Sequence, residues 1–527
     1  MTSPPPSTFV VAAVCLRDER GRILTVRKRG TGAFMLPGGK IEPGETPAQT
    51  AVREIEEEVG LRLDHVEPLG HFVADAANEP GHLVDSEVFT AEHVGEPVRA
   101  GEIDELRWLD PGDLDGFGAP IAPLLRGPVL AALSPVTVVG VGADGWRGLA
   151  ESVRARVLAA PVLVGGRRQL DLVPPVAEQE RVEWPSPFAV DLVDGYPGRP
   201  VLVLASGDPL VSGVGTTLVR RFGAARVEVV PAVSSVALAR ARMRWSAEET
   251  AVVTVVGRHH ETLLRELAPG RRVLVLSSDA ASPATIARLL TEAGFGASSM
   301  TVLGDLGSDH ETRIEGVAAT WQVEVPALTV VAIECEGSSS VAWASGLPDD
   351  VFEHDGQLTK RDLRASALAR LAPRPAQLLW DVGAGAGSIG IEWMRAHPSC
   401  RAVAVEADPA RAERIGRNAA SLGVPDLQVV MGRAPAALED LAAPDAIFVG
   451  GGATALGLLD RCVERLRPGG RLVVHGVTLE TEAVLAAAFA EHGGELTRHS
   501  IEHAEPIGGY SGWKPARPIV QWCWSKP

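Results

Sequence analysis

The chain has 527 residues, which at roughly 100–200 residues per domain is enough for about three or four domains. Hydrophobic residues make up 46% and charged residues 22%, the balance of an ordinary globular protein. The formal net charge of −17 disfavours a protein whose main role is to bind nucleic acid or an anionic membrane, because both select basic surfaces.

Acidic residues are concentrated near the N-terminus. Residues 1–130 hold 12 Lys and Arg against 22 Asp and Glu, a net charge of −10, which suggests a cation site in that region. The five cysteines are scattered without a CxxC pair, so they predict a reducing, cytoplasmic location and neither a zinc site nor a disulfide framework. Because no apolar run approaches 18 residues, we expect no membrane partner.

Two segments have the composition of linkers or domain rims. Residues 111–135 are rich in proline and glycine, and residues 336–350 are rich in serine, glycine and proline. A new strand or helix pattern follows each segment. We therefore predict a multidomain α/β protein with three domains, at residues 1–133, 134–336 and 337–527.

The first domain carries a cluster of carboxylates on one predicted helix. The pattern over residues 46–59 is helical, with a proline in its first turn and Gly60 as the stop signal. Glu54, Glu57 and Glu58 are spaced i, i+3 and i+4, so they share one face, where like charges repel. A bound Mg²⁺ or Mn²⁺ would remove that repulsion, because hard divalent cations prefer carboxylate oxygens.

This helix completes a Nudix box, the pattern G-x5-E-x7-R-E-U-x-E-E-x-G-U. Its fixed positions are filled by Gly39, Glu45, Arg53, Glu54, Glu57, Glu58 and Gly60. The resemblance to Nudix hydrolases implies an α/β/α sandwich that hydrolyses a nucleoside diphosphate derivative with Mg²⁺ or Mn²⁺. It implies metal binding by Glu54, Glu57 and Glu58, with the Gly39 carbonyl nearby. It also implies that Arg53 orients a glutamate and that Glu54, or a neighbour such as Glu57, activates water.

Alternatives remain open for this domain. The acidic helix could be a solvated surface, although the like-charge repulsion argues against that interpretation. The domain could also bind its ligand without cleaving it and act as a sensor. Arg27, Lys28 and Arg29 could contact phosphates or face water.

Small residues end three predicted strands of the second domain. Gly140 and Gly142 follow the strand that begins at Val136, the segment 206–210 ends a second strand, and Pro231 follows a third. Glycine at a strand end lets a ligand approach the backbone closely. We therefore expect the three strand ends to line one crevice.

The spacing of these turns resembles that of the tetrapyrrole methylases, two-lobed class III S-adenosylmethionine (SAM) methyltransferases, and among them those acting on carbon 5 of precorrin-7. The resemblance implies SAM contacts by Gly140, Gly142, Gly207, Asp208, Pro209, Leu210, Thr216 and Thr217. The first turn reads GADG where GPGD is common in the class. His259 and His260 also depart from the expected His-Gly-Arg, and they could bind a substrate carboxylate or belong to the surface.

The third domain opens with a strand, a glycine loop and a helix. The loop, D-x-G-x-G-x-G, contains Asp381, Gly383, Gly385 and Gly387. Glu406 ends the next strand, where an acidic residue can accept both hydroxyls of a ribose. Since Asp381 would repel a diphosphate, the pattern resembles a Rossmann-like class I SAM methyltransferase, with Asp445 at the fourth strand also assigned to the cofactor site.

Two flanking motifs indicate the methyl acceptor. Residues 356–364 and 506–514 resemble those of the decarboxylating carbon-15 methyltransferases of corrin synthesis. With this resemblance, Lys360, Arg361 and Arg364 become candidate partners for the carboxylates of the precorrin, and Lys360 and Arg364 are assigned to the catalytic site. Alternatively, they are surface cations of a helix capped near Thr359.

The order of the two methylase patterns resembles the fused precorrin-6Y C-methyltransferase (decarboxylating) family of cobalamin synthesis. It implies two methyl transfers from SAM to carbons 5 and 15 of precorrin-6B and precorrin-7, with loss of carbon dioxide from an acetate arm, giving precorrin-8X. The ring supplies the nucleophile, so the protein positions reactants. By analogy we expect a homo-oligomer. The alternative, a nucleic-acid methyltransferase with a Nudix module, is disfavoured by the acidic composition, and we expect no nucleic-acid partner.

Overall fold

The computed structural model describes residues 8–92, 95–338 and 341–527. The chain divides into two compact units, one of Met1–Leu238 with Gly307–Asp309 and one of Ala239–Leu306 with His310–Pro527. This division lies inside the second predicted domain. The boundaries at 133/134 and 336/337 therefore stay predictions.

The first unit contains two β-sheets and the helices that cover them. Its elements in chain order are β1 (Thr8–Arg17), β2 (Ile23–Lys28), β3 (Gly38–Lys40), α1 (Pro47–Val59), β4 (Glu67–Asp75), β5 (Leu83–Glu92), β6 (Ile103–Leu109), α2 (Leu130–Leu133), β7 (Val136–Val141), α3 (Glu151–Ala159), β8 (Val162–Gly165), α4 (Arg167–Leu172), β9 (Glu180–Glu183), β10 (Val201–Ser206), α5 (Val214–Phe222), β11 (Val227–Val230) and α6 (Ser235–Met243), which continues into the second unit.

The first sheet is covered by helices on both faces. Its strand order is β4-β5-β1-β2-β6, with β3 paired to β1. Side chains of a strand alternate between faces, so Val14 of β1 packs in one core with Ile55 of α1, and Cys15 packs in another with Leu125 and Val129. The arrangement is the α/β/α sandwich predicted from the sequence.

Much of the segment 111–135 is packed and is not an open linker. Phe117, Ile121, Leu125 and Val129 are buried in the core of the first sheet. A Pro- and Gly-rich composition is shared by linkers and by irregular segments that pack on a sheet, and only burial distinguishes them.

The second sheet of this unit is parallel, in the order β11-β7-β10-β8-β9. Because the strands are parallel, β7, β10 and β11 end at the same edge of the sheet. These are the three strands whose ends carry the glycines, serines and prolines identified in the sequence.

The second unit also contains two main sheets. Its elements are β12 (Thr250–Thr254), β13 (Arg272–Leu276), α7 (Ser282–Glu292), β14 (Ser299–Gly304), β15 (Thr312–Val317), β16 (Thr329–Glu334), α8 (Arg361–Leu371), β17 (Leu378–Val382), α9 (Ser388–Ala396), β18 (Arg401–Glu406), α10 (Pro409–Ser421), β19 (Gln428–Met431), β20 (Ala446–Val449), α11 (Leu458–Arg465), β21 (Arg471–Gly476), α12 (Leu479–His492), β22 (Glu495–His499), β23 (Glu502–Ile507), β24 (Tyr510–Pro515) and β25 (Ile519–Ser525).

The larger sheet of the second unit has the order β19-β18-β17-β20-β21-β25-β22. Strands β17 to β21 are parallel and β25 is antiparallel to β21, so the sheet is doubly wound with one reversed strand. The smaller sheet, β12-β13-β16-β14-β15, is mixed, and β23 pairs with β24 as a separate hairpin.

Part of the second predicted linker is also structured. Leu347 is buried in the core of the larger sheet, and residues 339 and 340 lie outside the described residues. Across the described ranges, no helix has both the length and the apolar character needed to cross a bilayer.

Candidate functional sites

Helix α1 forms as its sequence predicts. The Thr46 side chain accepts a hydrogen bond from the Gln49 backbone, and the Gln49 side chain accepts one from the Thr46 backbone, which is a complete capping box. Gly60 ends the helix in the left-handed conformation, with φ 66°. Ile55 and Val59 bury one face, so the glutamates project from the other.

Arg53 gathers three of the glutamates around one guanidinium. Its Nε lies 2.9 Å from Glu45 Oε1, and its Nη1 lies 2.7 Å from Glu54 Oε1 and 3.1 Å from Glu57 Oε2. The hydrogen bond from Arg53 is the main reason that the pKa of Glu45 falls to about 2. Arg53 therefore contacts three glutamates of the Nudix box at once.

Glu58 is held separately from the other glutamates. It is only 4% exposed. Its carboxylate accepts a hydrogen bond from the Gly38 backbone at 3.0 Å and forms an ion pair with Lys28 Nζ at 2.8 Å. Burial raises the pKa of Glu58, and the Lys28 ammonium opposes that shift. The structure thus places Lys28 against a carboxylate, an interaction that neither interpretation of the basic run anticipates.

The residues around α1 fit a hard divalent cation by their chemistry. They line a cavity of about 760 Å³ that contains seven carboxylate side chains against three cationic ones. Gly39 has no side chain because a Cβ atom there would overlap the Glu54 carboxylate, so the backbone and Glu54 approach closely. Within the described ranges, however, no three His, Cys, Asp or Glu side chains are already arranged around one point. Glu45, Glu54 and Glu57 face the Arg53 guanidinium and Glu58 faces the Lys28 ammonium, so the carboxylates do not face one common point.

In the parallel sheet of the first unit, the ends of β7, β10 and β11 meet closely. A Cβ atom on Gly140 would lie 2.9 Å from Ala232 and closer still to the Gly207 carbonyl oxygen, so only glycine permits this approach. Gly140, Gly142 and Pro231 line a cavity of about 550 Å³. The ends of β7 and β11 therefore line one crevice, whereas the end of β10 contributes no described residue to its lining.

Other residues assigned to this crevice lie near it rather than in its lining. Gly207, Asp208, Pro209, Leu210, Thr216 and Thr217 are absent from the described lining of the cavity. Asp208 accepts a hydrogen bond from the Leu210 backbone at 2.8 Å, which shapes the loop. Asp144, which sequence reasoning did not assign, lines the cavity, and its carboxylate lies over Gly142. The sequence feature that could have indicated Asp144 is the GADG turn, which departs from the common GPGD.

The glycine loop after β17 is built around Glu406. Its carboxylate accepts hydrogen bonds from the backbone N–H groups of Gly385 at 2.8 Å, Ala407 at 2.9 Å and Asp408 at 3.0 Å. Gly385 has φ 60°, a conformation that favours glycine, and a Cβ atom there would lie 2.7 Å from the Gln357 carbonyl oxygen. Gly383 and Gly387 share this positive φ.

Asp381 lies behind this loop and is buried. Its carboxylate accepts a hydrogen bond from the Gly390 backbone at 2.9 Å, which joins the end of β17 to helix α9. Burial raises the pKa of Asp381 to about 7; the Gly390 hydrogen bond opposes this shift, and the charge of Glu406 adds to it.

The structure does not bring Asp445 to the cofactor loop, which corrects the sequence assignment. Asp445 precedes β20 and accepts a hydrogen bond from the backbone of Leu378, the first residue of β17, at 2.8 Å. Since β17 and β20 are parallel, Asp445 lies at their amino ends, and the loop of Gly383 follows the carboxyl ends. It is Gly450 and Gly451, after β20, that lie beside Gly383.

Arg364 is buried inside the domain, so it is neither an open substrate contact nor a surface cation, the two roles that the sequence suggested. Its side chain is 0% exposed and forms ion pairs with Glu392 and with Asp349, and it donates to the backbone carbonyls of Leu347 and Thr359. A substrate carboxylate would have to displace these partners. Lys360, by contrast, is exposed and lies 3.5 Å from Asp349.

The two histidines of the second unit also differ in their surroundings. His260 lies within hydrogen-bond distance of Ser282 Oγ, at 3.1 Å, and His259 is exposed, 3.9 Å from Asp426. A further histidine, His475 of β21, is buried next to Gln521, at 2.9 Å. No sequence motif marks His475, because its setting depends on distant strands.

Family models match three parts of the chain. The NUDIX domain matches residues 7–128, the tetrapyrrole (corrin/porphyrin) methylases match residues 135–321, and the precorrin methyltransferase domain matches residues 350–526.

Two curated relatives match most of the chain. A Sinorhizobium precorrin-6Y C(5,15)-methyltransferase (decarboxylating) is 47% identical over 403 residues, which are 75% of this chain and 98% of the relative. The Mycobacterium tuberculosis protein of the same name is 45% identical over 396 residues, 74% of this chain and 100% of that one. The crystal structure of the C-terminal domain of precorrin-6Y C5,15-methyltransferase from Rhodobacter capsulatus is 45% identical and covers 35% of this chain and 100% of its own, with a TM-score of 0.34.

Proposed function

This chain belongs to the family of precorrin-6Y C(5,15)-methyltransferases (decarboxylating), and we propose how its sites divide that activity. The enzyme methylates a precorrin ring at two carbons and removes carbon dioxide, a reaction of cobalamin biosynthesis. The observation that carries this function is the 47% identity over 98% of a relative. A Nudix domain is added to this enzyme, because a quarter of the chain has no counterpart in that relative.

We assign carbon-15 methylation and decarboxylation to residues 337–527. Bound SAM supplies the electrophilic methyl group. Glu406 keeps lone pairs beyond its three backbone hydrogen bonds, and these would accept the ribose hydroxyls. Gly385 leaves the loop open beside the Gln357 carbonyl. Lys360 is exposed and would leave Asp349 to meet a ring carboxylate, whereas the buried Arg364 would act by holding the start of α8 in place.

We assign carbon-5 methylation to residues 134–336. The cavity lined by Gly140 and Gly142 would hold SAM against backbone groups, and Asp144 would supply the nearby negative charge. The loop of Gly207 to Leu210 would close one side, because the Gly207 carbonyl already lies against Gly140. The ring carbon is the nucleophile, so these residues position the two reactants.

The test is the fate of the ring. Full-length protein incubated with precorrin-6Y and methyl-labelled SAM is expected to yield a product with two labelled methyl groups and one carboxyl group fewer, measured by mass spectrometry. A ring that carries no labelled methyl group after prolonged incubation would refute the assignment.

For residues 1–133 we propose hydrolysis of a nucleoside diphosphate derivative. The supporting observation is that Arg53 and the glutamates at 54, 57 and 58 line one cavity with an excess of carboxylates. A bound Mg²⁺ or Mn²⁺ would neutralise the diphosphate oxygens. Glu54, Glu57 and Glu58 would hold the ion, and Glu54, held by Arg53, would take the proton of the attacking water.

The hydrolase proposal has a matched control on the same helix. With Mn²⁺ and a panel of nucleoside diphosphate derivatives, the wild type should release nucleotide and Glu57→Gln should not. Glu56→Gln should behave as the wild type, because Glu56 pairs with Arg62 away from the cavity. No nucleotide release by the wild type would leave the domain as a ligand sensor, and equal release by Glu57→Gln would contradict the role given to Glu57.

We also propose a cytoplasmic, homo-oligomeric enzyme that acts on small molecules and not on nucleic acid. The net charge of −17 opposes a nucleic-acid surface, and the hairpin β23–β24 exposes Tyr510 and Trp513, by 85% and 71%, where a second copy could pack. Light scattering of the purified protein would measure the assembly, and a monomer at micromolar concentration would contradict it.

A further inference from the structure

Lys28 occupies an unusual position in the first unit. It is the last residue of β2, and its side chain lies on the α1 face, where it meets Glu58, whereas Arg27 lies over Phe34 in the opposite core. Lys28 lines the Nudix cavity and Arg27 does not.

The Lys28 ammonium has several acceptors within reach. Its Nζ lies 2.8 Å from Glu58 Oε1, 3.4 Å from the Gly38 carbonyl and 3.7 Å from Glu102 Oε2. The second oxygen of Glu58 accepts the Gly38 N–H. Both oxygens of Glu58 are therefore already engaged, one by the backbone and one by a movable cation.

A divalent ion that takes Glu58 as a ligand must compete with this ammonium. The site is partly buried, so the repulsion between the two cations is less screened than on the surface. The ammonium can avoid this repulsion by moving to Glu102, which is exposed, or to an anion in the cavity. The phosphates of a nucleoside diphosphate derivative are such an anion.

We infer that Lys28 is a positioning residue that couples metal binding to phosphate binding. It holds Glu58 in the absence of metal and turns to a phosphate of the substrate when the metal arrives. Each ligand then binds more tightly in the presence of the other. The inference rests on the proposed hydrolase function, but its consequence is a binding property that can be measured without turnover.

The experiment uses full-length protein and Mn²⁺, followed by electron paramagnetic resonance, with and without a methylene-bridged nucleoside diphosphate analogue. In the wild type the analogue should tighten Mn²⁺ binding roughly five- to tenfold. In Lys28→Gln, which keeps a hydrogen-bond donor for Glu58 but loses the charge, Mn²⁺ alone should bind roughly five- to tenfold more tightly, and the analogue should add little.

Two further variants define the controls. Lys28→Arg keeps the charge and should behave as the wild type. Arg27→Gln removes an adjacent cation that pairs with Asp104 and Glu105, outside the cavity, and should also leave Mn²⁺ binding unchanged.

Several results would overturn the inference. These are unchanged or weaker Mn²⁺ binding in folded Lys28→Gln, independent binding of Mn²⁺ and the analogue to the wild type, and no Mn²⁺ binding by either protein. Independent binding to the wild type would refute the inference without any variant, even if Lys28→Gln does not fold. Synergistic binding that is lost in Lys28→Gln, without hydrolysis, would support the inference and contradict only the hydrolase function.

Discussion

Acidic residues are held in two different ways in the two units of this chain. On α1, the Arg53 guanidinium holds Glu54, and the Lys28 ammonium holds one oxygen of Glu58 while the Gly38 backbone N–H holds the other. At the ends of β17 and β18, Asp381 and Glu406 are held by backbone N–H groups.

The difference indicates what each set of carboxylates can do. A side-chain cation can swing away, so the α1 carboxylates can exchange it for a metal ion. A backbone N–H in a packed loop cannot move away, so Glu406 offers fixed lone pairs, which suit neutral hydroxyls. The buried Asp381 fixes the loop itself.

The largest expected effect would come from Glu54→Gln. It removes a carboxylate held only by Arg53, so hydrolysis should fall by about 10²–10⁴-fold while the fold is little affected. Chromatography of the nucleotide product measures the loss, and methylation of the ring in the same preparation is the control. Hydrolysis within a few-fold of the wild type would show that another group activates the water.

Glu406→Gln should act on the other unit and affect both binding and stability. An amide oxygen cannot replace a carboxylate that accepts three backbone N–H groups, so the loop should lose about 1–3 kcal/mol. SAM affinity at this site should fall about tenfold to a hundredfold, measured by calorimetric titration. Glu413→Gln, on the exposed side of α10, is the control. Wild-type SAM affinity in Glu406→Gln would contradict the assignment.

Asp381 should give the domain a distinctive pH dependence. Its pKa is raised from 3.8 to about 7 in the folded protein, so between about pH 4 and 7 the folded state retains a proton that the unfolded state loses. Its contribution to stability is therefore lost as the pH rises through this window. Asp381→Asn should abolish that trend, as measured by hydrogen exchange of the β17–α9 segment in the full chain. A variant that keeps the trend would assign it to another group.

His475 should produce the opposite trend in the same domain. Burial lowers its pKa from 6.5 to about 4, so between these values the unfolded state binds the extra proton. Its contribution to stability is present at neutral pH and is lost as the pH falls towards 4. His475→Gln should therefore lose less stability than the wild type on acidification, by the same exchange measurement at β21. An equal loss in both proteins would be inconsistent with this account.

The smallest effect is expected at Asp355, which holds the segment beside the cofactor loop. Its carboxylate lies 2.9 Å from Arg411 Nε and 3.2 Å from Arg414 Nη1, and the Gln357 backbone donates to it at 3.1 Å. Because these ion pairs are partly exposed, Asp355→Asn should weaken SAM binding by only roughly two- to fivefold, and high salt should reduce the difference. A salt-independent loss would point to the backbone hydrogen bond instead.

The sequence was sufficient for features that depend on local spacing. The limits of α1 follow from its cap and stop residues, and the loops at Gly140 and Gly385 follow strands, as predicted. These motifs also indicated the family, because each combines several fixed residue types in one short segment.

The features that were missed depend on contacts between distant residues. Arg364 is buried beside Glu392, 28 residues away, and Asp445 lies at the amino ends of the strands because it precedes β20, which runs parallel to β17. Lys28 meets Glu58 only because β2 and α1 pack on each other. A pattern of residue types carries no information on these pairings until the strand order is known.

The most direct test of the account is a crossed comparison of Glu54→Gln and Glu406→Gln in the full chain. Ring methylation with decarboxylation and Mn²⁺-dependent nucleotide release are measured on each preparation. We predict that Glu54→Gln loses only nucleotide release and that Glu406→Gln loses only the carbon-15 part of the ring reaction, with the accompanying loss of carbon dioxide. If either substitution impairs both reactions in folded protein, the account is contradicted, because the two acidic sites would then not belong to separate reactions.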